Sequence, residues 1–391
     1  MNTKRNQVQN NLGIALISTG LLWGVSLQFS VHAQQSVAAS ASAASATTSG
    51  ALKLDSGKLE VRQLSGSLDD AVNRWAFGTR QPEWLGYSVA QGNGRGSACC
   101  DHDGRDGSRV CGECQLEGQN HGVNITKHDS ASSEVKLEGP RELAMLFRAE
   151  SGKIGQIRVL SMECAADSGG LTVVWLEGAK ASESVGLLEK FVRGTNLESA
   201  NSEKLSKDAL TAIALHADPA ADSALESFVA AGQSISLRRE SAFWLGAARG
   251  AEGLRVLQKM AQHDPSSEVR EQVAFALSIS PEPGALPEMI RIAHEDQAPQ
   301  VRGQALFWLG QKAGERAAQA IAGAIDTDPD TDVKKKAVFA LSQMPPDQGV
   351  PKLILIAQTN HNPQVRKEAM FWLGQSGDPQ ALAFFEKVLS Q

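Results

Sequence analysis

Four of the five cysteines lie close together, and they are the residues of this sequence best suited to chemistry. Cys99 and Cys100 are adjacent, and Cys111 and Cys114 form a Cys-x-x-Cys pair beyond a Gly- and Asp-rich stretch. Four cysteines permit three pairings. A nested arrangement, Cys100 with Cys111 and Cys99 with Cys114, suits a tight excursion between two strands. Cys164 stands apart and would be left as a free thiol or an intermolecular link.

The same four thiols permit two other chemistries. Four thiolates bind zinc in a tetrahedron, with His102 or His121 as further candidate ligands, but an adjacent Cys-Cys pair is poorly suited to two positions on one metal. The Cys-Gly-Glu-Cys motif at 111–114 is also of the kind that exchanges disulfides. Export of the chain would favour structural disulfides, because exported proteins enter an oxidising compartment. In that interpretation the protein holds no metal and no cofactor.

The sequence contains none of the short motifs that carry hydrolytic or phosphate chemistry. It has no Gly-x-Ser-x-Gly nucleophile elbow, no phosphate-binding glycine loop and no His-Glu-x-x-His zinc motif. Its histidines are scattered, and an isolated histidine is more often a surface or capping residue than a ligand. We therefore predict that the protein is not an enzyme.

The charge pattern argues against nucleic acid as the main partner. The formal net charge is -6, and the acidic and basic residues are interspersed along the chain. Binding to phosphates needs a concentrated basic surface instead.

The N-terminus is typical of an export signal. Lys4 and Arg5 precede an uncharged apolar run from Leu12 to Phe29, and the small-x-small pattern at 31–33 suits cleavage after Ala33. An uncleaved membrane anchor is the alternative, since about 18 apolar residues just span a bilayer. We predict a signal peptide at 1–33, a flexible Ala/Ser/Thr tether at 34–51 and a periplasmic or secreted protein with no membrane span after cleavage.

Residues 52–178 show the two-residue alternation of strands. Four strands are predicted, and the first two of them flank the turn at 150–153: Leu143–Arg148, Ile154–Leu160, Leu171–Leu176 and Trp84–Val89. We expect a small, mostly antiparallel β-rich or α+β module that contains all the cysteines. Residues 179–202 follow as a connecting segment, in which Val185, Leu188 and Phe191 have helical spacing.

The strongest signal is a repeat with a period of 32 residues. An aliphatic residue followed by a basic one opens each unit: Leu237-Arg238, Val269-Arg270, Val301-Arg302, Val333-Lys334 and Val365-Arg366. A phenylalanine follows six residues after each aliphatic: Phe243, Phe275, Phe307, Phe339 and Phe371. Such constancy identifies a repeat architecture before any local assignment.

Each unit has the pattern of two short helices separated by Gly or Pro. A pair this short cannot bury its apolar face alone, so neighbouring pairs must stack. We predict that 203–391 is a right-handed α-solenoid of about six helical pairs, counting one degenerate unit before the clear five, with no strand. A Phe-Trp-Leu-Gly motif also recurs every 64 residues, at 243–246, 307–310 and 371–374. The array therefore consists of duplicated pairs of units.

The repeats resemble the HEAT family, in particular its short form known from phycobilisome-lyase-type proteins. The aliphatic-Arg start, the small mid-helix residue and the Leu-Gly ending stand here as Val301-Arg302, Ala305 and Leu309-Gly310. The resemblance implies an α-solenoid that holds protein partners. It also implies a structural ladder in which Arg238, Arg270, Arg302, Lys334 and Arg366 each bond the preceding loop's Asp and a neighbouring unit.

Two enzymes are similar to HEAT-type proteins, and neither fits. The di-iron centre of deoxyhypusine hydroxylase needs several His-Glu pairs, whereas only His294-Glu295 matches here. No repeat carries a site resembling that of a bilin lyase.

The five phenylalanines are the candidate partner-binding residues. At about 100° per residue, they lie near 240° from the aliphatic that marks the core-facing side. They either seal grooves between first helices or form an exposed aromatic surface. We predict an exported, non-catalytic scaffold or adaptor that binds an unidentified protein of the cell envelope. The alternative is a thiol-disulfide or zinc module in which Cys99, Cys100, Cys111 and Cys114 are the active part.

Overall fold

The computed structural model describes residues 51–92, 101–103, 109–111, 114–117, 142–194, 202–312 and 314–390, with the backbone alone for 101–103 and 109–111. The predicted signal peptide and almost the whole tether lie outside these ranges, so both stay predictions. Residues Ser49–Gln391 form one compact unit. Every helix in the described ranges is too short or too polar to span a bilayer.

The first part of the described chain is rich in strands. Their bounds are β1 (Leu54–Gln63), β2 (Glu83–Ala90), β3 (Asp101–Asp103), β4 (Arg109–Cys111), β5 (Cys114–Gln115), β6 (Glu142–Glu150), β7 (Lys153–Ser161) and β8 (Ala166–Glu177). The main sheet has the order β1-β8-β2-β6-β7, with β5 also paired to β8, and β3 and β4 form a separate hairpin.

The sheet is mixed, whereas the sequence predicted mostly antiparallel pairing. The β6–β7 hairpin is confirmed, and its turn places Ser151 and Gly152 at φ of 53° and 80°, the left-handed geometry that suits a two-residue hairpin. In contrast, β8 runs parallel to both β1 and β2. The sequence did not predict β1, because its side chains are mostly exposed and give little apolar alternation.

Both faces of the sheet are buried, because alternate residues of the central strands enter different cores. On β6, Leu143, Met145 and Phe147 join the core that the sheet shares with the helices, while Ala144 and Leu146 enter a second core on the opposite face. A strand buried on both sides is a continuous apolar run. This explains why the sequence of β6 is entirely apolar from Leu143 to Phe147.

The helices dominate the rest of the chain. In the described ranges they are α1 (Leu68–Gly78), α2 (Ala181–Arg193), α3 (Ser202–Leu215), α4 (Pro219–Phe228), α5 (Ile235–Ala248), α6 (Gly250–His263), α7 (Ser267–Ile279), α8 (Ala285–Glu295), α9 (Pro299–Lys312), α10 (Glu315–Thr327), α11 (Thr331–Ser342), α12 (Pro346–Thr359), α13 (Pro363–Ser376) and α14 (Pro379–Leu389). Helices α3–α14 are the six predicted pairs, and 202–312 and 314–390 contain no strand. The α-solenoid is confirmed.

The loop residues between pairs determine where the helices begin. Asn362 and Asp378 cap α13 and α14 by accepting the backbone N–H two residues ahead, and a proline follows each cap. A short polar side chain satisfies an otherwise unpaired N–H, and proline suits the first helical position. Asn362-Pro363 and Asp378-Pro379 therefore encode helix starts, whereas Asp264 and Asp328, which also precede a proline, lie at the ends of α6 and α10.

One apolar core runs from the sheet through every repeat. It includes residues of β2, β6, β7 and β8 together with buried side chains of α2 to α14. Helix α3 packs against both β7 and α2. The sheet therefore covers the first helical pair of the array.

The 64-residue period reflects two kinds of contact between first helices. A Cβ on Gly246 of α5 would lie 2.3 Å from the Ala276 carbonyl oxygen of α7, and one on Gly310 of α9 would lie 2.6 Å from that of Ala340 on α11. Backbones this close leave no room for a side chain. Gly374, in the same register on α13, meets nothing within 4 Å.

We expect Gly246→Ala to lower the free energy of unfolding by about 1–3 kcal/mol, because the added methyl forces α5 and α7 apart. Gly374→Ala is the matched control. It should leave stability unchanged or raise it by up to ~1 kcal/mol through helix propensity alone. Urea denaturation of the full chain measures both, and equal effects of the two substitutions would contradict the close-approach explanation.

Candidate functional site

Three of the predicted ladder residues tie one repeat to the next. Arg302 directs its Nε and Nη2 to the two carboxylate oxygens of Asp328, at 2.7 and 2.9 Å. Arg270 does the same with Asp296 at 2.8 and 3.0 Å, and Arg238 Nη2 lies 3.2 Å from an Asp264 oxygen. Two parallel hydrogen bonds between charged groups fix both distance and angle.

Arg270 and Arg302 bond the preceding loop's Asp through its backbone carbonyl, whereas Arg238 donates to the carbonyl oxygens of Ala231 and Gln233 at 3.0 and 2.7 Å. Arg302 Nη1 donates to the Asp296 carbonyl oxygen at 2.8 Å, and Arg270 Nη1 donates to that of Asp264 at 2.8 Å. The carboxylate comes from the loop that opens the following unit. Each Asp also accepts a backbone N–H of its own loop, as Asp328 does from Asp330 at 2.8 Å. One carboxylate therefore shapes a loop and holds the previous repeat.

The fourth rung of the ladder is different. Lys334 stands in the Arg position and Asn360 in the Asp position. Lys334 Nζ instead donates to the Asp326 carbonyl oxygen at 2.9 Å. Arg366 Nη1 donates to the carbonyl oxygens of Asn360 and His361, at 2.7 and 3.2 Å. Both positions of this rung differ from the other three rungs. Since Asn360 has no charge, it leaves no carboxylate without an arginine partner.

The charged rungs are buried ion pairs. The side chains of Arg302 and Asp328 are 8% and 3% exposed, and the hydrogen bonds to Asp328 raise the pKa of Arg302. Both positions contribute to structure, and neither is open to a ligand.

The five phenylalanines form a continuous surface with three tryptophans, here called the aromatic stripe: Phe243, Trp244, Phe275, Phe307, Trp308, Phe339, Phe371 and Trp372. Successive ring centroids are close: Trp244–Phe243 5.0 Å, Phe243–Phe275 6.1 Å, Phe275–Trp308 4.7 Å, Trp308–Phe307 4.9 Å, Phe307–Phe339 6.2 Å, Phe339–Trp372 4.9 Å and Trp372–Phe371 5.0 Å. The rings therefore join five first helices without a break.

The tryptophans and the phenylalanines of the stripe differ in their contact with the core. Trp244, Trp308 and Trp372 are partly buried and pack against the core. None of the five phenylalanines belongs to that core. Phe371 is 53% exposed, and the other four are half-buried. The tryptophans thus contact the core, and each phenylalanine contacts a tryptophan.

The phenylalanines show features of both alternatives that the sequence left open, filling grooves between first helices and forming an exposed surface. Within each duplicated pair the phenylalanines stack with interplanar angles of 15° and 8°, so they do fill the space between first helices. Their outer surfaces stay open. Their role in partner binding remains a prediction, and it is taken up below.

The cysteines are only partly within the described residues. Cys114 and Cys164 are 4% and 0% exposed in the second core, where they lie with Trp84 and Trp175. Both are disulfide-bonded, so Cys164 is not the free thiol that the sequence allowed. Cys114 is likewise not a thiolate, which leaves the zinc alternative at the four clustered cysteines without support. The side chains of Cys99, Cys100 and Cys111 lie outside the described residues. Because the chain has five cysteines, the disulfide of Cys164 must use one of the other four, so the nested pairing, which pairs those four among themselves, does not hold.

No metal centre is assembled in the described ranges. They hold no group of three or more His, Cys, Asp or Glu side chains placed to bind an ion. His294 and Glu295, the one pair that matched the hydroxylase pattern, are exposed at the end of α8. The part of the chain that the structure describes thus supports no enzyme assignment.

The comparison with protein families agrees with this geometry. HEAT repeats match residues 223–310 and 318–391, which cover α5 to α14 almost completely. The helical array is built of HEAT repeats. No protein with a curated description matches the chain.

The chain also matches two solved structures over part of its length. The chain is 18% identical to human deoxyhypusine hydroxylase, with a TM-score of 0.24, over 53% of this chain and 90% of that one. It is 21% identical to the complex of CpcE and CpcF of phycocyanin lyase from Nostoc sp. PCC7120, with a TM-score of 0.31, over 40% and 99%. At these identities and TM-scores neither likeness assigns a fold or an activity to this chain.

The buried rungs lead to a prediction about the HEAT array. Asp328→Asn keeps the loop hydrogen bond but leaves Arg302 buried without an opposite charge, and we expect a loss of ~3 kcal/mol or more in unfolding free energy. The double variant Arg302→Lys/Asp328→Asn reproduces the natural Lys334–Asn360 rung and should cost clearly less than the sum of the single changes.

Asp332→Asn is the control for this cycle, because Asp332 is 82% exposed in its ion pair with Lys335. An exposed pair contributes little, so chemical denaturation should detect almost no change. If Asp328→Asn also costs nothing, the rungs do not hold the repeats together.

Proposed function

We propose that this protein is an exported, non-catalytic scaffold that binds another protein through the aromatic stripe of its HEAT array. One observation carries the proposal: eight contacting rings cross five repeats, and the five phenylalanines among them keep open surface outside the core. Contiguous exposed apolar surface on a folded protein marks an interaction site. Aromatic side chains in particular provide most of the binding energy at protein interfaces.

The stacking makes these rings well suited to binding. Phe307, for example, contacts Trp308 edge to face at 4.9 Å and stacks on Phe339 at 6.2 Å. A ring held on two sides has lost most of its freedom during folding. A partner therefore loses little further side-chain entropy when it docks.

Exposed charges of both signs lie on the first helices that carry the stripe, and they favour a protein as the partner. Arg239, Glu268 and Lys335 have side chains that are 48%, 65% and 38% exposed, and Lys336 and Lys367 are exposed on α11 and α13. A polar rim of both signs around an apolar centre is typical of protein interfaces. Nucleic acid would require one continuous basic surface.

Location in the cell envelope is part of the same proposal. The signal pattern at 1–33 supports export, and the disulfide-bonded state of Cys114 and Cys164 suits an oxidising compartment. Both cysteines are buried, which makes the opposing thiol-exchange function unsuited to this site because exchange requires access to the sulfur.

Photo-crosslinking tests the docking surface. A photoreactive phenylalanine analogue at Phe339 or Phe371 should join the chain to the same envelope protein. The same analogue at Leu355, which is 58% exposed on α12, should not. Leu355 is the matched control because it is equally apolar and open but lies outside the stripe.

Affinity for the captured protein is then measured with Phe371→Ser and Leu355→Ser. Phe371→Ser should weaken binding at least tenfold, about 1.4 kcal/mol, with little change in melting temperature because the ring is half exposed. Leu355→Ser should bind normally. Equal cross-linking from both sites, or equal weakening by both serines, would show that the stripe is not the docking surface.

Export is tested by the intact mass of the protein isolated from its own cells. We expect a mature chain that begins at residue 34, with Cys114 and Cys164 alkylated only after reduction. A full-length chain would contradict cleavage after Ala33, and alkylation of these cysteines without reductant would contradict an oxidising location.

A further inference from the structure

A chain of three buried polar side chains connects the sheet to the HEAT array. Tyr87 lies on β2, Ser184 on α2 and His216 directly after α3, and each is fully buried. The Tyr87 hydroxyl is 2.8 Å from Ser184 Oγ, which is 2.9 Å from His216 Nε2. His216 Nδ1 lies 2.7 Å from the Ala212 carbonyl oxygen.

The partners determine where the protons are. A carbonyl oxygen only accepts, so His216 Nδ1 carries the hydrogen and Nε2 accepts from the Ser184 hydroxyl. Ser184 Oγ in turn accepts from the Tyr87 hydroxyl. Every polar atom of the chain is satisfied only while the imidazole is neutral. A proton on Nε2 would turn this acceptor into a donor, and the Ser184 hydrogen would lose its partner.

His216 lies where the two parts of the fold exchange backbone hydrogen bonds. Ala217 N–H donates to the Ala90 carbonyl oxygen at 3.0 Å, and Gly92 N–H donates to that of Leu215 at 2.9 Å. The end of β2 therefore pairs with the loop between α3 and α4. A displacement of the His216 ring would therefore shift the backbone that joins β2 to this loop.

The charged groups around His216 come from the elements packed on it. Arg249, at the end of α5, donates to the His216 carbonyl oxygen at 2.5 Å and holds Asp222 of α4 at 2.7 Å. Asp218 caps the start of α4. The sheet contributes Tyr87, and α2 contributes Ser184, which has no charge. If His216 were protonated, its positive charge would lie beside the Arg249 guanidinium, whose own charge is already paired with Asp222.

We propose that the Tyr87–Ser184–His216 chain is an acid-sensitive latch, which holds the N-terminal sheet on the first helical pair and opens when His216 takes up a proton.

The electrostatics give the direction of the pH dependence. Burial, above all, lowers the pKa of His216 to about 4; Arg249 also lowers it, while the hydrogen bond to Ala212 and the charge of Asp218 oppose them. Burial also raises the pKa of Tyr87 above its usual range, so the phenol stays a donor. Since the folded-state pKa of His216 lies below its unfolded value, the latch is fully stable above that unfolded value and weakens as the pH falls towards 4.

The composition of the chain provides a direct probe. Tyr87 is the one tyrosine in the sequence, so ¹³C-tyrosine labelling of the full-length protein gives NMR signals from this junction alone. We expect a single buried environment at pH 7. Between pH 6 and 4 the signals should move to solvent-exposed values, while far-UV circular dichroism still shows an intact helical array.

His216→Gln removes the titrating group but keeps a donor and an acceptor. It should move the opening of Tyr87 to lower pH by about one unit or more. His263→Gln is the control, because His263 is exposed on α6 and should leave the transition unchanged. Tyr87 signals that change only together with the loss of helical signal, or an unchanged transition in His216→Gln, would overturn the latch.

A second variant covers the case in which His216→Gln does not fold. Ser184→Ala removes the hydroxyl that links Tyr87 to His216, so the latch is weaker at every pH and needs less protonation to open. The transition should then move to higher pH. A transition that stays in place or moves to lower pH in Ser184→Ala would overturn the latch as well.

Discussion

The whole array depends on one constraint: a pair of short helices cannot bury its own apolar face and must use the next pair to do so. The buried ion pairs and the close backbone contacts that hold the array together accordingly lie between repeats. The carboxylate of Asp328 binds an arginine 26 residues earlier, and Gly310 receives the backbone of α11. Loss of one such contact weakens two repeats at once. The free energy of unfolding therefore comes mainly from the interfaces between repeats, and a single helical pair contributes little by itself.

The same stacking produces the surface proposed for binding. Since the first helices are held in register by buried rungs and close backbone contacts, a residue at one repeat position recurs as a line along the array. Phenylalanine at that position becomes a row of rings, each in contact with Trp308 or one of its equivalents. The spacing of the rings is a consequence of helix packing. A partner bound as proposed would thus meet an aromatic surface whose geometry was fixed during folding.

The first helical pair has no preceding repeat, so another element must cover the apolar face at that end of the array. Here the β-sheet takes the place of a polar capping repeat: β7 and α2 pack on α3 and extend one apolar core into the sheet. Polar groups within such a core must find partners. The Tyr87–Ser184–His216 chain satisfies this requirement, and the same burial makes it sensitive to a single proton.

The sequence by itself determined whatever depends on local periodicity. The 32-residue period fixed the six helical pairs, and the turn at Ser151–Gly152 with its apolar flanks fixed the β6–β7 hairpin. Only the tertiary structure decided which distant groups meet: the parallel pairing of β1, the carboxylate partner of Arg302, the half-burial of the phenylalanines and the neighbours of His216. The physical reason is that periodicity records the face a residue turns to the core. A contact across 26 or more residues depends instead on how whole elements pack, and no single segment of the chain contains that information.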